Sequence, residues 1–143
     1  MKIYADTSAL IAYFNPEDEF AVTVADWFKE NADAFAWNGI LRAELRHNLR
    51  KIKTGYKSTA WNAYRAVENS SRFFTMRARV DSLLDDLDDL DAQLAQKADA
   101  GTMDFFHVAA ARRSGCDCFA TCDKAQAYLA RLAGFSKVKL FKI

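Results

Sequence analysis

KIYADTSAL, Lys2 to Leu10, runs an alternating apolar segment straight into a carboxylate, Asp6, and then into the hydroxyls of Thr7 and Ser8. Alternation of this kind reads as a buried strand, and Leu10 and Tyr13 beyond it fall at helical spacing. Two roles are open to Asp6. It can accept hydrogen bonds from the first free N–H groups of the following helix, as an N-cap does. It can also be a functional carboxylate at the end of a strand, and the remainder of the chain bears on that choice.

Further strand-like runs occur at AFAW, CFAT and KVKLF, each short and separated by longer stretches with helical spacing. Such alternation predicts an α/β fold with a parallel sheet, and FFT near Phe73 is a candidate for one more short strand. NPEDEF predicts a helix start with Asn15 as cap and Pro16 in the first turn, carrying Phe20, Val24, Trp27 and Phe28 on one face. Leu41, Leu45, Leu49 and Ile52 form the apolar stripe of a second long helix, and YKSTAWNAYRAV makes another after Gly55. The run from Val80 to Lys97 places Leu83, Leu87, Leu90 and Leu94 on one side and coats the other with Asp. TMDFFHVAAARR and DKAQAYLARLAG are the last two helices, the second stopped by Gly134. No repeat or low-complexity linker divides the chain, so residues 1–143 are expected to form one domain.

The 143 residues are 51% hydrophobic, enough for a sizeable core. No apolar run approaches the ~20 residues of a membrane span, and the opening residues lack the pattern of a signal peptide. Cys116, Cys118 and Cys122 are an odd number in one short run, which argues against a disulfide framework and lacks the paired C-x₂-C spacing of a zinc site. A cytoplasmic protein is expected. Net charge is only +1, but from Arg42 to Arg79 ten Lys and Arg face two Glu, whereas from Val80 to Asp104 eight Asp face one Lys. A basic and an acidic surface side by side follow from this.

In a parallel α/β sheet the carboxyl ends of the strands line one edge, where ligands bind. Asp6 and Asp123 both end strands there, with Thr121 beside the second. Glu44 lies about 60° from its helix's apolar stripe and so borders the core, where an unpaired acid is costly. A salt bridge to Lys51 or Arg42 is its plain structural explanation. Asp104 sits in the first turn of its helix, favoured by the dipole, with Thr102 as the expected cap. Were all four acids to converge at ~4 Å, each pair would repel by about 4 kcal/mol at an effective dielectric near 20. A hard divalent cation, Mg²⁺ or Mn²⁺, would relieve that repulsion and could support phosphodiester hydrolysis.

The ordered set IYADTSAL, Glu44 on the next long helix, TMDFFHVAAA, and FATCDKA followed by LARLAGF resembles the PIN-domain ribonucleases, especially VapC-type toxins of toxin–antitoxin pairs. The resemblance implies a three-layer sandwich with a central, mostly parallel sheet of four or five short strands flanked by helices. It implies endonucleolytic RNA cleavage with Mg²⁺ or Mn²⁺, a homodimer, and a small antitoxin as partner. Position by position, Asp6, Glu44, Asp104 and Asp123 match the acidic metal-site residues, with Thr7 and Thr121 as the hydroxyls beside them. Asn38 departs from the small hydroxyl residue common after the second strand. RNA is expected along the side carrying Arg42, Arg46, Arg50 and Lys53, away from the Asp-rich helix.

Two rival readings remain. The acid-x-x-His pairs Glu44/His47 and Asp104/His107 match one element of di-iron carboxylate bundles, but that site needs a four-helix bundle, and Asp6 and Asp123 fall at strand ends. A non-catalytic RNA- or partner-binding module would use the same acids merely as caps. His107 is expected to be a structural histidine hydrogen-bonded near the site, and Trp61 and Tyr64, which could stack on RNA bases, are expected in the core or at a dimer contact.

Overall fold

The four strand-like runs and the short FFT run assemble into one parallel sheet. The computed structural model describes residues 1–70, 73–75 and 78–142. Strands β1 (Lys2–Ala5), β2 (Ala34–Trp37), β3 (Phe73–Thr75), β4 (Cys118–Thr121) and β5 (Val138–Leu140) lie in the order β3-β2-β1-β4-β5. All four pairings are parallel. Between them run α1 (Thr7–Phe14), α2 (Ala21–Asn31), α3 (Gly39–Lys51), α4 (Thr59–Glu68), α5 (Val80–Leu94), α6 (Thr102–Ser114) and α7 (Lys124–Leu132).

The strand order locates the functional edge. The chain steps from β1 outward to β2 and β3, then crosses back to β4 and on to β5. Right-handed crossovers put α1–α4 on one face and α5–α7 on the other, in keeping with α1 packing on α2, α3 and α4, and α6 on α5 and α7. Connections leave β1 and β4 in opposite directions, so the crevice between their carboxyl ends is the topological switch point, where open α/β sheets bind ligands. The β1–β4 ladder pairs Ile3 with Cys118, Tyr4 with Phe119 and Ala5 with Ala120. A further bond from Asp6 N to Ala120 O, 3.1 Å, carries that pairing to the rim.

Both sides of the sheet are covered, so strand residues are buried on both faces: Ile3, Tyr4, Phe35 and Phe119 are all inaccessible or nearly so. Phe28 of α2 meets Phe35 edge-on at 4.9 Å, and burying each such ring contributes about 1.5–3 kcal/mol. Leu41, Leu45 and Leu49 seat α3 on the core, while Leu83, Leu90 and Leu94 seat α5. The Asp side of α5 is largely solvated, as expected, and Asp86 forms a two-point pair with Arg113 of α6 at 2.7 and 2.9 Å.

Two helix starts differ from expectation. Asn15 closes α1 instead of opening α2: its Oδ1 accepts from Glu17 N and Asp18 Oδ1 accepts from Phe20 N, so α2 begins only at Ala21. Asn and Asp side chains compete here with the helix for backbone N–H groups. Helix α6 is preceded by Gly101 rather than capped by Thr102, and Asp104 Oδ2 reaches back to accept from Gly101 N at 3.1 Å. Its far end is stopped by Gly115 at φ 66, a left-handed position suited to glycine.

Candidate active site at the carboxyl edge of the sheet

Asp6 occupies the switch point and combines a helix cap with a place at the strand end. It is the N-cap of α1, its Oδ1 accepting from Ala9 N at 3.0 Å. The same oxygen accepts from Ser8 Oγ at 2.6 Å, and Oδ2 accepts from Thr121 Oγ1 at 2.5 Å across the β1–β4 crevice. Thr121 in turn accepts from Asp123 N at 3.0 Å, and Ser8 accepts from Cys122 N at 3.1 Å. Two hydroxyls therefore tie the β1 end to the β4 end through one carboxylate. Asp6 is only 5% exposed. Burial pushes its pKa up, against the lowering effect of the Ser8, Thr121 and Ala9 hydrogen bonds. Sequence reasoning singled out Thr121 but gave Ser8 no role in the site, although its position two residues after Asp6 is the signal that could have found it.

Glu44 projects from α3 to the same rim. Its Oε1 accepts from Thr7 Oγ1 at 2.9 Å and bonds His107 Nε2 at 2.5 Å. The expected pairing with Lys51 or Arg42 is replaced by these partners, because Arg42 turns to Glu68 on α4 at 2.5 Å. Burial acts to raise the Glu44 pKa, but the bonds from His107 and Thr7 outweigh it and hold the carboxyl below its usual range. Behind His107 lies Tyr4, whose hydroxyl is 2.7 Å from Nδ1, and Asn38 Nδ2 donates to that hydroxyl at 3.1 Å. Asn38 also caps α3 by accepting from Leu41 N. Its departure from a small hydroxyl residue thus preserves the cap and adds a contact to the strand. Tyr4 hides in the apolar pattern of β1, and nothing local marks it as part of a polar network.

Asp104 and Asp123 sit at the N-termini of α6 and α7. Asp123 Oδ1 caps α7 by accepting from Ala125 N and Gln126 N, at 2.8 and 3.2 Å. Gln126 Nε2 donates to Asp104 O at 3.2 Å, joining the two acid-bearing turns. Gln126 Oε1 is the one buried side-chain polar atom without a partner among the described residues, and it was not anticipated from the sequence.

The four acids share an edge, but among the described residues no three His, Cys, Asp or Glu side chains are gathered closely enough to hold one ion. Crowding into a ready-made cage, considered from the sequence, is therefore absent, and desolvation rather than neighbouring acids dominates the upward push on Asp6. The donor chemistry still fits a hard dication. Asp104 Oδ1, Asp123 Oδ2 and Glu44 Oε2 accept no hydrogen bond from the described residues. All are hard oxygens at one rim, and the unpaired Gln126 Oε1 beside them could accept from a hydrated cation.

Arg46 lies over the Trp61 ring at 4.9 Å, Arg50 over Trp61 and Tyr56 at 5.4 and 5.6 Å, and Trp61 and Tyr64 belong to the core. Arg72 and Arg77 of the basic run lie outside the described residues. Cys116, which precedes β4 rather than sharing it, Cys118 and Cys122 are free. Burial pushes the Cys122 thiol up to about 12, which opposes its oxidation. The parallel sheet removes the four-helix framework that a di-iron site needs, and His47 is exposed. No described helix is long and apolar enough to cross a membrane.

An open parallel sheet with hydroxyl-braced carboxylates at its switch point defines a class of α/β proteins with an acidic, oxygen-rich ligand edge. The chain belongs to the PIN domain family, whose profile matches residues 3–132. Its fold is similar to that of Mycobacterium tuberculosis VapC20, a sarcin-ricin loop cleaving toxin, with TM-score 0.72 and 19% identity over 96% of this chain and 98% of that one. VapBC2 from Rickettsia felis, bound to a DNA fragment from its promoter, gives 0.66 and 15% over 99% and 98%. FitAcB from Neisseria gonorrhoeae gives 0.62 and 17% over 98% and 96%. No curated protein matches the sequence.

Proposed function

We propose that this PIN domain protein is a divalent-metal-dependent endoribonuclease and the toxin of a VapC-type toxin–antitoxin pair. The observation that carries the reading is Asp6, a carboxylate held almost out of water at the switch point by Ser8 and Thr121. Maintaining an acid there costs stability that a cap alone does not require, since an Asn would cap as well. Asp6, Asp104 and Asp123 would hold Mg²⁺ or Mn²⁺, with Glu44 completing the pocket. When bound, the ion supplies Lewis acidity toward a phosphoryl oxygen and acidifies a water. Thr121 fixes the direction of Asp6. Glu44, anchored through Oε1 by Thr7 and His107, presents Oε2 to orient a water at the scissile phosphate. The N-terminal ends of α6 and α7 add positive dipoles at the same edge.

We place the RNA along the outer side of α3, over Arg42, Arg46, Arg50 and Lys53. Arg42 and Arg46 are steadied by Glu68, and the aromatic rings under Arg46 and Arg50 keep these guanidinium groups spread over that side. Reversing charge at Arg50 and Lys53 together is expected to weaken RNA binding and to lower the slope of log affinity against log salt by about 0.7 for each phosphate no longer neutralised. Binding that keeps its strength and salt slope would move the path elsewhere. The homodimer and the small antitoxin partner are carried over from the VapC resemblance, and a cytoplasmic location from the odd, unpaired cysteine usage.

The competing reading, a non-catalytic module, draws on the fact that Asp6, Asp104 and Asp123 all accept from backbone N–H groups at helix starts. Sequencing RNA ends after expression of wild type and Asp6→Asn separates the two. New ends made only by wild type, reproduced with purified protein in Mg²⁺ or Mn²⁺ and abolished by chelation, support the nuclease. Absence of metal-dependent cleavage of cellular RNA leaves the capping module.

A further inference from the structure

We propose that Asn38, Tyr4 and His107 form a one-directional hydrogen-bond relay that holds Glu44 at the rim, which makes His107 a positioning residue of the site. This rests on the reading of Glu44 as part of the metal pocket. The direction follows link by link from the cap of α3. Asn38 Oδ1 accepts from Leu41 N at 2.8 Å, so the amide nitrogen is the end that faces Tyr4. That nitrogen donates to the phenol oxygen at 3.1 Å. The phenol has one hydrogen, and its other neighbour is His107 Nδ1 at 2.7 Å. Nδ1 is then the acceptor, the ring hydrogen sits on Nε2, and Nε2 donates to Glu44 Oε1.

Reversing the Tyr4–His107 link would leave the Tyr4 O–H buried without an acceptor, at a cost of about 1–3 kcal/mol. Asn38, Tyr4 and His107 are 3%, 0% and 4% exposed, so water cannot substitute for a missing partner. The relay also bridges layers. Asn38 and Glu44 belong to the α3 side, His107 to α6 on the opposite face, and Tyr4 to the central strand between them. Glu44 is therefore tied to the sheet itself and cannot swing into solvent without breaking a buried network. A donor fixed on an acid in this way sets its orientation, as outer partners do around metal-binding groups.

The test uses full-length protein. In the metal-free wild type, ¹⁵N NMR of the imidazole is expected to show Nε2 protonated and Nδ1 as a bare acceptor. Asn38→Asp keeps the cap but replaces the donor by an acceptor, so the Tyr4 hydroxyl turns toward residue 38 and His107 Nδ1 gains a proton. A merely space-filling role would leave that signature unmoved. Mn²⁺ affinity by EPR is expected to fall about 10- to 100-fold in His107→Leu, and to stay near wild type in His107→Gln, whose amide offers a donor at similar reach. If His107→Leu fails to fold, Tyr4→Phe keeps the ring stack on Phe119, removes only the hydroxyl, and is expected to move the Nδ1 resonance while Nε2 keeps its proton against Glu44. A wild type protonated at Nδ1, an unchanged signature in Asn38→Asp, or unaltered Mn²⁺ binding in a folded His107→Leu would overturn the relay. Wild type that binds no Mn²⁺ sinks the nuclease reading instead, and the ring-nitrogen signatures then decide the relay alone.

Discussion

Asp6→Asn is expected to reduce metal-dependent RNA cleavage by at least about 100-fold, equivalent to about 2.7 kcal/mol, while making the metal-free protein more stable. Both effects come from the same burial. The carboxylate would lose its place in the ion pocket, but Asn caps helices as well as Asp does, and its oxygen can keep the bond from Ala9 N. What disappears is a desolvated negative charge, while the Thr121 hydroxyl, which donates to Oδ2 in wild type, can turn to accept from the new amide and donate to Ser8 Oγ. Because burial raises the Asp6 pKa in the folded protein, the folded state binds a proton more readily than the unfolded one. The associated stability is fully present below the unfolded value near 3.8 and is lost as pH rises through the folded value. The stabilisation by Asp6→Asn should therefore be small at pH 4, grow toward neutrality and then level off. A gain on the order of 1 kcal/mol would raise Tm by about 3 °C at this chain length. Thermal melts in chelator across pH, paired with cleavage assays in Mg²⁺, check this directly. A variant whose stability matches wild type at every pH would identify Asp6 as a simple cap.

Thr121→Val should be among the most destabilising conservative changes at the rim, by about 2–3 kcal/mol. Thr121 is fully buried, donates to Asp6 Oδ2 and accepts from Asp123 N. Valine keeps the shape but leaves a buried carboxylate oxygen and a backbone N–H without partners, and hydrogen bonds to charged groups are worth about twice neutral ones. Activity should fall together with stability, because the direction of Asp6 is set from this side. Thr121→Ser retains the hydroxyl and should recover most of both. Equal Tm values for Thr121→Val and wild type would mean that the Asp6–Thr121 bond contributes nothing net. At Ser8, which shares Asp6 with Thr121, Ser8→Ala should show a smaller loss, since water can reach that half-buried position.

These expectations differ in how far they could have been reached without coordinates. Strands β1, β2, β4 and β5 were legible because each is a short apolar run between helical stretches, and the periodicity of Leu41, Leu45 and Leu49 marked the face that α3 buries. Helix starts were less legible. At Asn15 and Asp18 the polar side chains bind nearby N–H groups and delay α2 to Ala21, a competition that composition alone does not resolve. At Glu44 the choice lay between local cations and a distant partner, and the distant one prevailed. Arg42 found Glu68, and the buried His107 bonds Glu44 through Nε2.

What the sequence determined by itself is the alternation of strand and helix, the order of Asp6, Glu44, Asp104 and Asp123 along it, and the family to which that order points. Those features depend on side-chain periodicity and on caps that act within one turn. Tertiary structure alone decided that Asp6 is gripped by a threonine 115 residues away, and that Glu44 is bound to a histidine 63 residues on. It also decided that the acids stand along an edge without closing on one another. The reason is physical: hydrogen-bond partners and desolvation are set by which strand ends and helix turns the sheet order brings together, and no local stretch of chain encodes them.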